Sequence, residues 1–163
     1  MAGIKKAAGE DPGIKMVCRN RRAGHLYELL EEFEAGLVLT GTEVKSLREG
    51  KASLPESYAV VRDGEMFLVG CHINEYTAGN RYNHDPVRDR KLLLSAREIR
   101  RLVSKVEEKG LTLVPLSIYF RGSWAKVKLA LGRGKKLYDK RQDIKRREAD
   151  RETSRAMRRE QNG

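Results

Sequence analysis

Several groups of residues in this chain are of types that do chemistry in proteins. Glu28, Glu31, Glu32 and Glu34 form a carboxylate cluster. Carboxylates that converge in space hold divalent metals and activate water, so the cluster raises a metal-dependent RNA-processing nuclease. On a strand and its turn the same residues would simply make a solvated face. Gly132-Arg133-Gly134-Lys135-Lys136 ends like a phosphate-binding loop. That loop needs a Gly five places before its Gly-Lys pair and a Ser or Thr after it. Leu129 and Lys136 hold those places, which excludes it. His25, His72, His84, Cys18 and Cys71 stand at no metal-ligand spacing. His84-Asp85-Pro86 reads as a turn, and the cysteines as free thiols of a reducing cytosol. No nucleophile and base assemble, so no catalytic residue, metal or cofactor is expected.

The remaining reactive property is charge. The chain has 34 Lys+Arg against 23 Asp+Glu, a net charge of +11 over 163 residues. Residues 133–163 carry twelve of those cations and six acids, which is +6 of the total. Leu137, Ile144 and Met157 are the only large aliphatics there. Such a segment cannot offset its ordering entropy by packing, so it stays mobile or folds against a polyanion. No Gly or Pro interrupts it between Lys135 and Asn162, and Asp143 and Arg147 stand at the supportive i,i+4 spacing. A disordered basic tail and a tail that turns helical on RNA both fit. As a helix it would reach about 36 Å.

Further cations, Arg19, Arg21, Arg22, Lys45, Arg48, Lys51, Arg88, Arg90, Lys91, Lys126 and Lys128, suit phosphate contacts. Tyr27, Tyr82, Tyr119 and Trp124 could stack on exposed bases. Asn20 and His25 could read base or ribose edges. No apolar run approaches a membrane span. The first eighteen residues lack a continuous apolar stretch, which argues against a secretory signal and for the cytoplasm.

Residues 1–18 read as a flexible lead. Leu26–Phe33 and Gly36–Thr40 read as two short strands, with Thr42 capping a short helix that stops at Gly50. Asp63-Gly64 between two strand-like runs, 57–62 and 65–69, is a strong hairpin signal. The polar stretch 74–90 is a long loop. Ser95 and Glu98 make a capping box for a helix ending at Gly110, with Ile99, Leu102, Val103 and Val106 as its buried stripe. Residues 113–120 form a strand with Leu116, Ile118 and Phe120 on one face. Residues 125–131 alternate, with Lys126, Lys128 and Ala130 on a wet face. About six short strands without helices between them predict a mainly β fold, a small antiparallel oligonucleotide-binding-type barrel. The expected organisation is a lead (1–18), an RNA-binding barrel (19–132) with flanking helices, and a basic tail (133–163), in a monomer.

These residues resemble a known family, small protein B or SsrA-binding protein. The resemblance rests on Asn20-Arg21-Arg22-Ala23 with His25 and Tyr27, on Phe33-Glu34-Ala35-Gly36, and on the run from Gly41 to Arg48. It continues through Asp85-Pro86, the run from Arg90 to Leu94, and Gly134-Lys135-Lys136 leading to Asp139-Lys140-Arg141. It covers about Asn20 to Met157.

The resemblance implies a barrel of the oligonucleotide-binding type and a non-enzymatic role. Relatives bind the tRNA-like domain of transfer-messenger RNA and deliver it, with elongation factor Tu and GTP, to stalled ribosomes for trans-translation. Asn20, Glu34 and Leu93 match positions tied to that RNA; with Arg21, His25, Lys45, Arg48, Lys91, Lys126 and Lys128 they make the expected RNA-binding set. Gly134, Lys135 and Lys136 match the junction that enters the decoding centre. Tyr138, Asp139, Lys140, Arg141, Ile144, Lys145 and Arg147 fall in the tail that becomes helical in the empty mRNA channel of the small subunit. Two positions depart from the pattern. Gly24 replaces a bulkier or basic residue, and Tyr138 stands where some relatives have His, which favours stacking over protonation there. A stable ribosomal component is a third reading.

Overall fold

The computed structural model describes residues 13–78, 83–135 and 137–161. Its elements are β1 (Ile14–Arg19), α1 (Ala23–Leu26), β2 (Tyr27–Leu37), α2 (Gly41–Arg48), β3 (Ala52–Ser53), β4 (Tyr58–Arg62), β5 (Glu65–Val69), β6 (His72–Ile73), β7 (Arg90–Leu93), α3 (Ala96–Lys109), β8 (Thr112–Arg121), β9 (Trp124–Gly134) and α4 (Leu137–Gln161). Seven strands run in the order β1-β8-β4-β5-β7-β2-β9, and β9 also pairs with β8. Six of them therefore close into a barrel-like antiparallel ring, with β1 alongside β8. The seam is narrow: β4 meets β8 through the single pair Ala59↔Leu113. The mainly β, antiparallel architecture with flanking helices is the one the sequence predicts.

Local chemistry sets the best-defined elements. Asp63 (φ 51) and Gly64 (φ 77) both adopt the positive φ that a tight primed turn needs between β4 and β5. Ser95 Oγ accepts the Glu98 N–H at 3.2 Å to start α3, and Gly110 in the left-handed conformation ends it. Ile99 and Leu102 are buried beneath α3, and Val106 packs partly against the core. Leu47 of α2 joins Leu68, Leu92, Ile118, Phe120, Leu129 and Leu131 inside the ring.

Four expectations are corrected. Residues 14–18 are not part of a flexible lead: they lie in β1, paired with β8, and a bulge between Met16 and Cys18 breaks the alternation that would reveal it. Leu26–Phe33 and Gly36–Thr40 are not two strands but mainly one, β2, because Gly36 stays in register with both Leu93 and Lys126. The cap of α2 is Thr40 rather than Thr42, since the Glu43 carboxylate accepts the Thr40 N–H at 2.9 Å. Leu116 does not share the face of Ile118 and Phe120, because it occupies a bulge between Pro115 and Ser117. In addition, β9 continues past residue 132 to Gly134, so the body extends that far.

Beside α2 lies a buried ionic network. Glu43 and Arg90 are both wholly inaccessible, and Arg88 and Arg90 each donate to the Glu43 carboxylate. Arg90 also donates to the carbonyls of Cys71 (2.7 Å) and Pro86 (3.1 Å). His84 Nε2–H donates to the Ile73 carbonyl at 2.9 Å, and its Nδ1 pairs with the Thr42 hydroxyl at 2.9 Å. The loop 83–90 is thereby fastened to α2. Arg88 and Arg90, candidates for phosphate contacts by sequence, are instead bound to this network.

Candidate nucleic-acid interface

The β sheet turns one face outward where β7, β2, β9, β8 and β1 lie side by side. Register defines rows across it. One row is Leu93, Gly36, Lys126, Tyr119 and Met16. The next is Glu34, Lys128, Ser117 and Arg19. A third, at the β8–β9 turn, is Trp124, Arg121 and Ile14. Strands about 4.8 Å apart make the five-residue row roughly 19 Å wide, and rows two residues apart lie roughly 7 Å from each other. The spacing of Lys126 and Lys128 is thus close to that of successive phosphates on an extended strand.

Glu34 is the centre of this face. The Tyr119 hydroxyl and Arg121 (3.0 Å) both donate to its Oε2. Among the described residues Oε1 has only Lys126, at 4.0 Å. Burial alone would raise the Glu34 pKa, but the hydrogen bonds from Tyr119 and Arg121 outweigh it and hold the carboxyl below its ordinary range. Burial and the same carboxylate push the Tyr119 hydroxyl up, so it stays a donor. The result is an ionised acceptor with one oxygen spoken for and one turned to cations and solvent. That oxygen suits an exocyclic amine of a base, set among side chains that suit phosphates. Leu93, 53% exposed, lies over Gly36, where an added Cβ would come within 3.2 Å of it. A bare glycine thus seats an apolar platform two residues from the carboxylate.

The remaining acids disperse. Arg101 (2.6 Å) and Lys105 (2.7 Å) hold Glu31, Lys128 lies 3.7 Å from Glu32, and Arg133 lies 3.6 Å from Glu28. Among the described residues no three His, Cys, Asp or Glu come together as a metal site. The carboxylate cluster gives the nuclease reading no support, because a bulge at Leu30 and the alternation of β2 send its members to different partners.

Of the other expected RNA-binding residues, Lys91 joins this face and meets Glu65 at 3.1 Å. Lys45 and Arg48 sit on α2, over the rings of Tyr76 (5.3 Å) and Phe120 (4.6 Å), outside the rows. Asn20 is engaged with its own fold: its side-chain amide donates to the Pro115 carbonyl (3.0 Å), its backbone N–H to Leu116 (2.7 Å), and its Oδ1 accepts the Arg22 N–H (3.2 Å). It pins the β1–α1 connection to the bulge in β8. Arg21 is exposed. His25 in α1 keeps Nδ1 buried and without a hydrogen-bond partner among the described residues. Arg121 is not singled out by the sequence, because its importance comes from a strand distant in the chain, and Gly36 enters there only as the end of the Phe33-Glu34-Ala35-Gly36 motif.

The tail starts beside α1. The Lys135 N–H donates to the Leu26 carbonyl (3.0 Å) and its ammonium to the Gly24 carbonyl (2.8 Å). Gly134 ends β9, while Lys136 and Tyr82 lie outside the described residues. Residues 137–161 form one helix, about 37 Å long at 1.5 Å per residue. Tyr138, Asp139 and Lys140 fall within it, with side chains outside the described residues. Arg141, Ile144, Lys145 and Arg147 are exposed. Arg147, Arg151, Arg155 and Arg158 follow one another at i,i+4 and i,i+3 spacing, all exposed. Such a like-charge stripe weakens an isolated helix and is relieved by an opposing row of anions.

A small antiparallel β barrel with a cationic, aromatic-bearing outer face and a long basic helix has the form of a nucleic-acid-binding module. Comparison with known proteins narrows the class. The family model described as SmpB protein matches residues 17–159. The SsrA-binding protein of Microcystis aeruginosa is 56% identical over 153 residues, 93% of this chain and 99% of the relative. That of Desulforudis audaxviator is 58% identical over 144 residues, 88% of this chain and 94% of the relative. A chain of the solved structure described as "tmRNA-SmpB: a journey to the center of the bacterial ribosome" is 56% identical, with a TM-score of 0.62 over 74% of this chain and 85% of that one. This chain belongs to the SmpB protein family.

Proposed function

We propose that this protein is a non-enzymatic, cytoplasmic, monomeric partner of transfer-messenger RNA. It binds the tRNA-like domain with the outer face of its barrel and brings the RNA, together with elongation factor Tu and GTP, to ribosomes stalled in trans-translation. The observation that carries this reading is the division of the chain. The described residues up to Gly134 form a body with a face that combines an open carboxylate oxygen, an apolar platform and cations. Beyond it extends a helix with no buried side chain among those described.

The two parts do different work. Asn20, Arg21, His25, Glu34, Lys91, Leu93, Lys126 and Lys128, with Lys45 and Arg48 at the barrel end, serve the folded RNA through shape, phosphate contacts and a few hydrogen bonds. Gly134, Lys135 and Lys136 lead into the decoding centre. The tail, with Tyr138, Asp139, Lys140, Arg141, Ile144, Lys145 and Arg147, tests whether the mRNA channel is vacant. Off the ribosome its arginine stripe and lack of burial favour a disordered segment. In an empty channel, rRNA phosphates neutralise the stripe and the helix becomes favourable; message in the channel leaves no room for it.

The test is truncation after Lys135, which spares β9 and the Lys135–α1 contacts. Affinity for the tRNA-like domain should stay within about threefold, and peptide tagging on stalled ribosomes should be lost. Wholesale loss of RNA affinity would refute the division.

A further inference from the structure

Trp124 is 72% exposed, the most exposed of the large hydrophobic side chains described. An unburied indole forgoes the stabilisation of a large apolar surface, so its position needs a reason. The β8–β9 turn holds it in place. Gly122 (φ 61) makes the turn, and its N–H donates to the Gly13 carbonyl at 3.0 Å, which ties the turn to the start of β1. Strand alternation puts Trp124 on the same side as Lys126 and Lys128, because Ala125 and Val127 between them pack against and in the core. Its register partner is Arg121, which is half exposed and also donates to Glu34. The ring thus continues the face built around Glu34, as an apolar plane with cations on two sides.

Resting on the RNA-binding reading, we propose that Trp124 is a base-stacking residue: its indole receives an unpaired nucleobase of the bound RNA, while Arg121 and Lys126 hold the flanking phosphates. The neighbouring cations select an anionic polymer over an apolar peptide. An A-form duplex hides its base faces within its own stack, so the occupant is a looped or unstacked nucleotide. Stacking is tolerant of base identity, so Trp124 supplies affinity and register while Glu34 supplies choice.

Trp124 is the chain's only tryptophan, which makes its fluorescence a reporter of this one position. Titrating the full chain with the tRNA-like domain of transfer-messenger RNA should quench the emission, with the quench saturating at the same concentration as binding measured by filter retention. Trp124→Ala should weaken binding by about tenfold, within the range of a lost base–aromatic stack. Trp124→Phe should recover part of the loss, and the melting temperature of both variants should match that of the parent, because the ring is exposed. Unquenched emission at saturating RNA, or binding by Trp124→Ala within twofold of the parent, overturns the assignment while leaving the RNA-binding reading standing. Failure of the parent chain to bind this RNA overturns both.

Discussion

Glu43→Gln is the sharpest test of what holds the body together. Glu43 is wholly buried between Arg88 and the equally buried Arg90. The amide is nearly isosteric and can still accept one hydrogen bond, so the change removes charge rather than volume. It leaves Arg90 as a buried cation surrounded by carbonyls alone. Removing one partner of a buried ion pair costs about 3–5 kcal/mol. At about 3 °C per kcal/mol for a chain of this size, the melting temperature should fall by about 10–15 °C. The loss should also depend on pH in a known direction. Burial would raise the Glu43 pKa, but hydrogen bonds from Arg88, the Thr40 N–H and Arg90 outweigh it and hold the carboxyl below its ordinary range. A lowered folded pKa means that the stabilisation is present above the unfolded value of about 4.3 and disappears as pH falls through the folded one. Urea denaturation of parent and variant at pH 7, 5 and 3 measures this directly. The gap in stability should be widest at pH 7 and narrow at pH 3. A gap under about 1 kcal/mol at pH 7, or one that persists undiminished at pH 3, would refute the reasoning.

Two further outcomes follow from local geometry. A Cβ on Gly70 (φ 76) would lie 2.7 Å from the Glu56 carbonyl oxygen, whereas one on Gly64 (φ 77) would meet nothing within 4 Å. Gly64→Ala should therefore cost about 1 kcal/mol and Gly70→Ala at least about 2 kcal/mol by urea denaturation, and equal costs would show that the close approach is not felt. Burial pushes the Cys18 thiol up to about 11 and the Cys71 thiol up to about 12. Relative to an unperturbed thiol, the native protein at pH 8 should hold about 100-fold less thiolate at Cys18, and alkylation by iodoacetamide should slow accordingly. Native-state labelling of either cysteine at the rate seen in guanidinium would contradict this.

What the sequence displays openly is whatever depends on near neighbours. The Asp63-Gly64 turn, the Ser95–Gly110 helix and the alternation of β9 from Lys126 to Leu129 are each written within sixteen residues and appear where expected, whereas Ala130, expected on the wet face with Lys126 and Lys128, is buried. The site is harder to read, because it is assembled across the sheet. Glu34 meets Tyr119 and Arg121 from 85 and 87 residues away, and no local pattern announces that pairing. Bulges in β1, β2 and β8 each shift the side-chain alternation by one place, which hid β1 and put Leu116 on the wrong face. Arg88 and Arg90 look like two more cations in a basic chain. Only the fold shows that Glu43 claims them, so charge counting overstates the cations free for phosphate. Family resemblance pointed to Glu34 and Leu93, but the carboxylate's single open oxygen and the bare Gly36 beneath Leu93 are properties of the assembled sheet.

The placement of both proposed functions on β9 has a mechanical consequence. Lys126 and Lys128 lie near its start and Gly134 at its end, and the strand is hydrogen-bonded along both edges, to β2 and to β8. Eleven residues at about 3.3 Å each give a brace of roughly 36 Å that cannot bend without breaking two ladders. At its far end Lys135 is fastened to α1 through both its backbone and its side chain. On the proposed reading, RNA bound at one end of this brace fixes the point from which the tail departs at the other. The tail then enters the ribosome with its origin already set, and only its own helix remains to be ordered. The charges that pull it into the channel therefore need to offset the entropy of a single segment, rather than that of a tail whose base also wanders.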